Sequence, residues 1–415
     1  MFLNWILGSL AALSCALTLW QWLVARRFPL HQRVANKNFS PAITLLKPLK
    51  GCDAETEECL RSWFGQDYSA PVQILFGVAS ENDPVCGLVQ KLICENPKAD
   101  AQLIVCGEVL GPNAKVSKLI QLERHAKNEI LVISDADVRV PKDFFVNVVQ
   151  PFRVPPSGGS TVGPPEGGTP NLETPNENIG LVNCFYRLAN PSTLAMQWEA
   201  VAINADFWSQ VLQSQSLKPL NFALGAAMVT RRKHLKQIGG FESLVDFLAD
   251  DYQLGNKIAR TGKQIVLSPV VVECWESPVN WKRVWAHQLR WACTIRVCQP
   301  ASFFFSILSN ATLWPLLFTA ALLVEHHKFW FVPISIFLPI RIQAALKTQE
   351  WITLDSKHYA WFWLVPIKDL LNVAIWVLAF VGNKIEWRGE QFRVLPNGKL
   401  EKSAEPNPQG KRTNQ

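Results

Sequence analysis

Residues 129–137 read Glu-Ile-Leu-Val-Ile-Ser-Asp-Ala-Asp. The aliphatic run Ile130–Ile133 predicts a short buried strand, within a strand over 129–134. It ends in two carboxylates two residues apart, which project from the same side of the chain. Upstream, strand-like runs at 42–46, 72–78 and 102–106 alternate with helix-like stretches at 55–66, 85–95 and 115–126. Strand–helix alternation at this spacing predicts an α/β domain built on a parallel sheet. Such sheets bind ligands beyond the carboxyl ends of their strands. The polar residues gather there: Ser80-Glu81-Asn82-Asp83 follows the second strand, and Asp135-Ala136-Asp137 follows the fourth.

The Asp135 and Asp137 carboxylates are hard oxygen ligands of the type that binds Mg²⁺ or Mn²⁺ together with substrate phosphates. A metal in that position neutralises a diphosphate leaving group. By itself the D-x-D pattern fits a solvated turn better; its place directly after a buried strand brings the two readings level. Further on, Asp250 and Asp251 are adjacent. Like charges this close raise one carboxyl pKa when partly buried, a route to a general base. Helix N-capping is the simpler account, because Leu254 and Ile258 follow at helical spacing; one Asp can cap while the other faces the cleft. A third motif, His287-Gln288-Leu289-Arg290-Trp291, lies in a predicted amphipathic helix over 281–297. Its Trp281, Trp285, Trp291, Lys282, Arg283, Arg290 and Arg296 suit a membrane interface. The Arg290 guanidinium is also well shaped for diphosphate oxygens.

The composition fits a chain that is part soluble and part membrane. Charged residues are 18% of the 415, below the roughly 25% of soluble proteins, and hydrophobic residues are 48%. That apolar content excludes disorder, while a mean hydropathy of +0.07 is too low for a many-span transporter. Residues 1–25 carry no charge and are long enough to cross a bilayer. Arg26 and Arg27 follow the apolar stretch instead of preceding it, which favours an uncleaved anchor over a signal peptide. Six basic and no acidic residues between Arg26 and Lys50 place the next domain in the cytoplasm.

Further apolar runs lie at 303–324, at 329–345 with Arg341, and at 360–382 with Lys368 and Asp369. Lys368 and Asp369, being adjacent, do not share a helix face, which favours a re-entrant, interfacial or protein-buried segment. The tail 384–415 holds seven basic and four acidic residues and reads as cytoplasmic. One C-terminal segment is therefore expected not to cross. The net charge of +7 collects beside apolar segments, which points to anionic lipid and away from nucleic acid. Residues 153–178, with eleven Pro or Gly among 26, read as a flexible surface insertion. The ten cysteines show no C-x-x-C spacing, so zinc is not expected.

Asp83, Asp135, Asp251 and the Arg290-Trp291 pair, in that order, resemble the D, D, D, (Q/R)-x-x-R-W signature of membrane-bound inverting family 2-type glycosyltransferases. LLKPLKG at 45–51, Asn82-Asp83-Pro84, GPNAKV at 111–116 and ADDY at 249–252 resemble, more closely, the family 21 ceramide glucosyltransferases. The H-Q-L-R-W form, ALGAAMVTRR at 223–232 and EWRGEQFRV at 386–394 are similar to the bacterial branch, which includes hopanoid-biosynthesis glycosyltransferases. The likeness covers about residues 1–400, with the Pro/Gly insertion as its departure.

The resemblance implies an anchor at 1–27, a GT-A catalytic domain at 41–282, an interface helix at 283–299, membrane segments at 300–383 and a basic cytoplasmic tail at 384–415. It implies that Asp83 contacts the uridine part of a UDP-sugar and that Asp135 and Asp137 hold a divalent cation (Mg²⁺ or Mn²⁺) and the diphosphate. Asp251 would deprotonate the acceptor hydroxyl. Arg290 and Trp291 would sit over the diphosphate and the acceptor entry, with Lys115 approaching the nucleotide. His287 stands where Gln or Arg is usual, and its role, like that of Asp250, is left open.

The activity implied is transfer of a hexose, glucose in the first place, from a UDP-sugar to a membrane lipid hydroxyl, with ceramide as the favoured acceptor type. The implied location is a multi-pass protein of the bacterial inner membrane. Three other readings are a UDP-N-acetylglucosamine-dependent hopanoid glycosyltransferase, an inactive membrane scaffold or transporter subunit, and a processive polysaccharide synthase. The last of these needs more spans than the sequence offers.

Overall fold

The computed structural model describes residues 2–34, 39–153, 176–387 and 390–402. Nearly all of the 153–178 insertion and the last thirteen residues of the tail lie outside them.

Eight strands form the main sheet: β1 (Ile43–Pro48), β2 (Val72–Val78), β3 (Asp100–Val105), β4 (Ile130–Ser134), β5 (Val138–Arg139), β6 (Ile179–Leu188), β7 (Ala227–Arg231) and β8 (Gln264–Cys274). Their spatial order is β3-β2-β1-β4-β7-β6-β8-β5. The four strands read from sequence are all present within two residues of the expected bounds. The first half of the sheet is parallel, as expected. The second half departs from a wholly parallel sheet: β7 runs antiparallel to both β4 and β6, and β5 runs antiparallel to β8. Long loops and helices separate these later strands, so their direction is set by what they pair with and not by short crossovers.

The crevice follows from the winding. From β1 the chain moves outward to β2 and β3, then returns to place β4 on the other side of β1. The connections diverge at the carboxyl ends of β1 and β4, the position where open α/β sheets take ligands. β4 is buried along its whole length, so the turn at Asp135 starts from a rigid base.

Helices Phe2–Arg27 and Leu364–Val381 are each long and apolar enough to cross a membrane. The expected span over 303–324 is not one straight helix. Helix Pro300–Phe305 and a 3₁₀ turn at Ser306–Ser309 meet helix Leu313–Val324 at a 48° bend. Asn310 stands at the break: its side chain accepts from the Thr312 and Leu313 N–H groups and donates to the Asp369 carbonyl.

Of the three readings of Lys368 and Asp369, the protein-buried segment is the one observed: both lie buried in one ion cluster on helix Leu364–Val381. The Asp369 carboxylate accepts from Arg341 Nε and Nη2 at 2.8 Å and from Thr312 Oγ1 at 2.6 Å. The Lys368 ammonium lies 2.8 Å from Asp369 and also pairs with Asp206, which Arg341 meets at 2.9 Å. Adjacent helical residues point about 100° apart, but a four-carbon lysine stem spans that angle. Asp206 belongs to a six-residue π-helical stretch, Ala202–Phe207. The cluster thus ties two C-terminal helices to the α/β domain.

The tail is also more than a charged extension. Strands β9 (Lys384–Trp387), β10 (Glu390–Val394) and β11 (Leu400–Lys402) form an antiparallel sheet. Its Ile385, Phe392, Val394 and Leu400 side chains belong to the main hydrophobic core.

Candidate active site

The site is built at the carboxyl edge of β1 and β4. Lys47, the penultimate residue of β1, is fully buried. Its ammonium donates to the Asp135 carbonyl and to Ser134 Oγ, and it lies 4.9 Å from the centre of the Trp63 ring. Burial pulls this ammonium down to about 8. Lys47 therefore holds the backbone of the D-x-D turn from beneath.

Asn113 caps helix Ala114–Arg124 by accepting from the Lys115 and Val116 N–H groups. That cap aims Lys115 into the crevice. Its ammonium lies 2.7 Å from Asp135 Oδ1 and 3.2 Å from Asp250 Oδ2. Burial works against this cation, but the charges of Asp135, Asp250 and Asp251 outweigh it and hold the ammonium well above the usual lysine range.

Helix Asp250–Arg260 begins at the Asp pair, yet neither Asp acts as its N-cap, contrary to the capping account. The N-cap is Ala249, with no side-chain capping bond. Asp250 is turned to Lys115 and also accepts from Asn113 Nδ2 at 3.4 Å. Asp251 accepts from the N–H of Tyr252. Burial, then the Asp250 charge beside it, push the Asp251 carboxyl up to about 7. A raised carboxyl of this kind is what the paired acids predict.

Gly225 keeps room for it. A Cβ at residue 225 would fall 2.9 Å from Asp251 Oδ2. The Asp135 N–H donates to the Ala226 carbonyl next door, so one loop registers both acidic motifs. Gly225→Ala is expected to displace the Asp251 carboxylate and cut turnover by about 100-fold, the scale for roughly 1 Å of misplacement, with the fold intact. Steady-state kinetics alongside a thermal melt checks this; parent-like turnover would show that the contact is relieved elsewhere.

Asp83 stands further along the edge, after β2. Its Oδ1 accepts from the Gly51 N–H at 2.9 Å and the Val85 N–H at 3.1 Å. It therefore fixes the loop after β1.

Helix Trp281–Cys298 supplies the remaining motif, with His287, Arg290 and Trp291 on one face at i, i+3 and i+4. His287 Nδ1 is 2.7 Å from Glu199 Oε1, and Gln288 Nε2 donates to the same oxygen. A carboxylate only accepts, so Nδ1 carries the proton and Nε2 is the ring atom left for a ligand. The Trp291 ring meets His287 at 4.7 Å, Phe207 at 5.8 Å and Tyr186 at 6.5 Å. Burial, then the Glu199 charge, raise the carboxyl of nearby Glu276, and the Asp137 charge adds to it. The helix motif and the D-x-D turn are thus linked electrostatically.

Several contributors carry no sign of their role in the sequence. Lys47, Asn113 and Gly225 sit inside the quoted motifs, where nothing separates them from their neighbours. Glu199 lies in an ordinary helical run, and only its burial beneath His287 marks it.

Asp135 and Asp137 fit a divalent cation in a limited sense. Burial, then the Asp135 charge, raise the Asp137 carboxyl against the opposing charges of Lys47 and Lys115. Lys115 already holds one Asp135 oxygen. Among the described residues no group of three or more His, Cys, Asp or Glu is placed to hold a metal. The donor set is one or two carboxylates to be completed by phosphate oxygens and water, the usual manner of Mg²⁺ and Mn²⁺ binding.

A half-parallel α/β sheet whose β1/β4 switch carries the D-x-D turn, with a raised carboxyl nearby, has the layout of a GT-A-type domain. A family profile, glycosyl transferase family 21, matches residues 6–168 and 171–400. The chain belongs to that family. A ceramide glucosyltransferase of Candida albicans is 36% identical over 118 residues, 26% of this chain and 22% of that protein. Ceramide glucosyltransferase 3 of Caenorhabditis elegans is 18% identical over 388 residues, 90% of this chain and 77% of that protein. Among solved structures, a Pyrobaculum calidifontis mannosyltransferase in complex with GDP-Man and Mn²⁺ is 20% identical, covers 90% of this chain and 98% of its own, and has a TM-score of 0.47.

Proposed function

We propose that this chain transfers a hexose, glucose in the first place, from a UDP-sugar to the hydroxyl of a membrane lipid of the ceramide type, with inversion at the anomeric carbon. The observation that carries the reading is a single carboxyl, Asp251, held near neutrality beside the Lys115–Asp135 pair. Asp250 is engaged by Lys115, and we assign Asp251 as the single base of an inverting displacement.

Asp83 takes the uridine end of the donor, and Lys115 and Arg290 bear on the diphosphate. The divalent cation, when bound at Asp135 and Asp137, supplies charge neutralisation for the diphosphate. Asp251 accepts the proton of the acceptor hydroxyl as its oxygen attacks the anomeric carbon, and UDP departs. Electrostatic stabilisation of the departing charge is the largest contribution expected from the site. Glu199 fixes the His287 ring so that Nε2 and the Trp291 face border the acceptor side. The lipid arrives from the bilayer, because helix Trp281–Cys298 packs against the apolar helices Pro300–Phe305 and Leu364–Val381. The orientation that suits a UDP-sugar donor places the catalytic domain in the cytoplasm.

The decisive assay is membranes from an expressing host, labelled UDP-glucose and UDP-N-acetylglucosamine, and a panel of ceramide, hopanoid polyol and diacylglycerol acceptors read by mass spectrometry. One added hexose on ceramide supports the reading. N-acetylglucosamine on a hopanoid would replace both sugar and acceptor, and a polymer would point to a processive synthase. Asp135→Ala is expected to weaken UDP affinity in the presence of Mn²⁺ by about tenfold or more, about 1.4 kcal/mol for the lost contact. Unchanged affinity by calorimetry would contradict the metal and diphosphate role.

A further inference from the structure

The segment between the 3₁₀ turn Phe241–Leu244 and helix Asp250–Arg260 has no regular structure of its own, yet it delivers Asp251 to the crevice. On one side Asn113 holds it. The Asn113 N–H donates to the Val245 carbonyl at 3.0 Å, and Asn113 Nδ2 donates to the Phe247 carbonyl at 2.8 Å. On the other side it is paired by the C-terminal sheet. The Leu400 N–H donates to the Asp246 carbonyl at 2.7 Å, the Leu248 N–H to the Gly398 carbonyl at 3.4 Å, and Phe247 and Lys399 form an antiparallel bridge. The Lys399 ammonium sits 2.9 Å from Asp246 Oδ2 and lies over the Phe247 ring.

The hairpin that makes these contacts is well defined by its turn. Gly398 adopts a positive φ of 83°, and Asn397 Oδ1 accepts from the Lys399 N–H, the turn chemistry expected of Asn-Gly. The sheet is in turn fastened to the motif helix: the Arg296 guanidinium donates to Asn383 Oδ1, and the Asn383 carbonyl accepts from the Val394 N–H. One element at the end of the chain therefore grips both the base segment and the helix that carries His287, Arg290 and Trp291.

We propose that the C-terminal three-stranded sheet is a positioning element for catalysis, which sets Asp251 by adding its last hairpin to residues 246–248. The proposal rests on Asp251 being the base. Its physical reason is entropic: a five-residue connection, 245–249, free on one side samples many backbone states, and a base displaced by about 1 Å loses much of its effect. The groups facing Asp251 are Asp250 on its own helix, Lys115 from helix Ala114–Arg124, Asp135 after β4, Tyr186 on β6 and Cys298 at the end of the motif helix. None belongs to the C-terminal sheet, so the sheet acts through the backbone it holds.

The test uses the full-length chain in detergent or nanodiscs with two variants. Lys399→Glu sets a like charge against Asp246, and Leu400→Pro removes the N–H that bonds the Asp246 carbonyl. Each is expected to lower kcat by about tenfold or more, with the KM for UDP-sugar unchanged. The acid limb of the pH–rate profile should also move below its parent midpoint, because water reaching a loosened Asp251 relieves its desolvation. Parent-like kcat and pH profile in both variants overturn the proposal. So does a parallel loss of kcat, UDP-sugar affinity and melting temperature, which marks the sheet as general structure. A parent enzyme with no transfer from any UDP-sugar sinks the functional reading and the brace with it, whereas an active parent with indifferent variants sinks the brace alone.

Discussion

Asp251→Asn is expected to lower kcat by about 100- to 10,000-fold, the range for loss of a positioned general base, while UDP-sugar binding is retained. Asparagine keeps the shape and the hydrogen bond from the Tyr252 N–H but has no lone pair basic enough to take a proton. The pH dependence carries the same assignment. A base must be unprotonated to act, and burial beside Asp250 holds the Asp251 carboxyl near 7. In the parent, kcat/KM should therefore rise with pH through about 7 and then level off. An ordinary aspartate would have finished titrating roughly three units lower. In the Asn variant the residual rate should lose that limb. Near-normal turnover, or an unchanged limb in the variant, would remove Asp251 from the role.

Arg341→Met is expected to destabilise the protein by about 3–5 kcal/mol, the cost of breaking a buried ion pair on one side. Two cations, Arg341 and Lys368, balance two anions, Asp206 and Asp369; each cation contacts both acids, and Arg341 does so through two hydrogen bonds to each. Without it, two buried carboxylates face one ammonium. Lysine at 341 should restore only part of the loss, because a point charge cannot reproduce the fork that engages Asp369 through Nε and Nη2 together. The double variant Arg341→Met/Asp369→Leu leaves the Lys368–Asp206 pair neutral and should recover most of the stability. Tryptophan-monitored unfolding in detergent reads all three; a parent-like midpoint for Arg341→Met would show that water reaches the cluster. Asp206 directly precedes Phe207, which packs on Trp291, so the unstable variant should also have a raised KM for the lipid.

Periodicity made the first half of the domain legible. Alternating runs of four to seven residues gave β1 to β4, because a strand buried in a parallel sheet carries its signal in its own side chains. The direction of β7 and β8 was not legible, since strand polarity there is fixed by pairing across long insertions. The acidic motifs were legible because carboxylates at strand ends are uncommon and clustered. Their partners were not. Lys47 looks like any basic residue near a membrane segment until its burial under the Asp135 carbonyl is seen. The cap suggested for the Asp pair failed for a related reason: Lys115 offers Asp250 a full charge, where the helix terminus offers only partial ones.

By itself, then, the sequence determined what lies along the chain: an apolar segment at the start, a nucleotide-type α/β domain, the acids at its strand ends and an Arg-Trp motif before the apolar helices. Those properties are local, set by composition and by spacings of two or of 3.6 residues. The tertiary structure alone decided which of the acids stays near neutrality, which histidine nitrogen is left for a ligand, how four charges inside the C-terminal helices cancel, and that the last strands reach back to the base. Each of these depends on burial and on contacts that include pairs about 30 to 160 positions apart, and a Coulomb or desolvation energy is set by distance in space and not by distance along the chain.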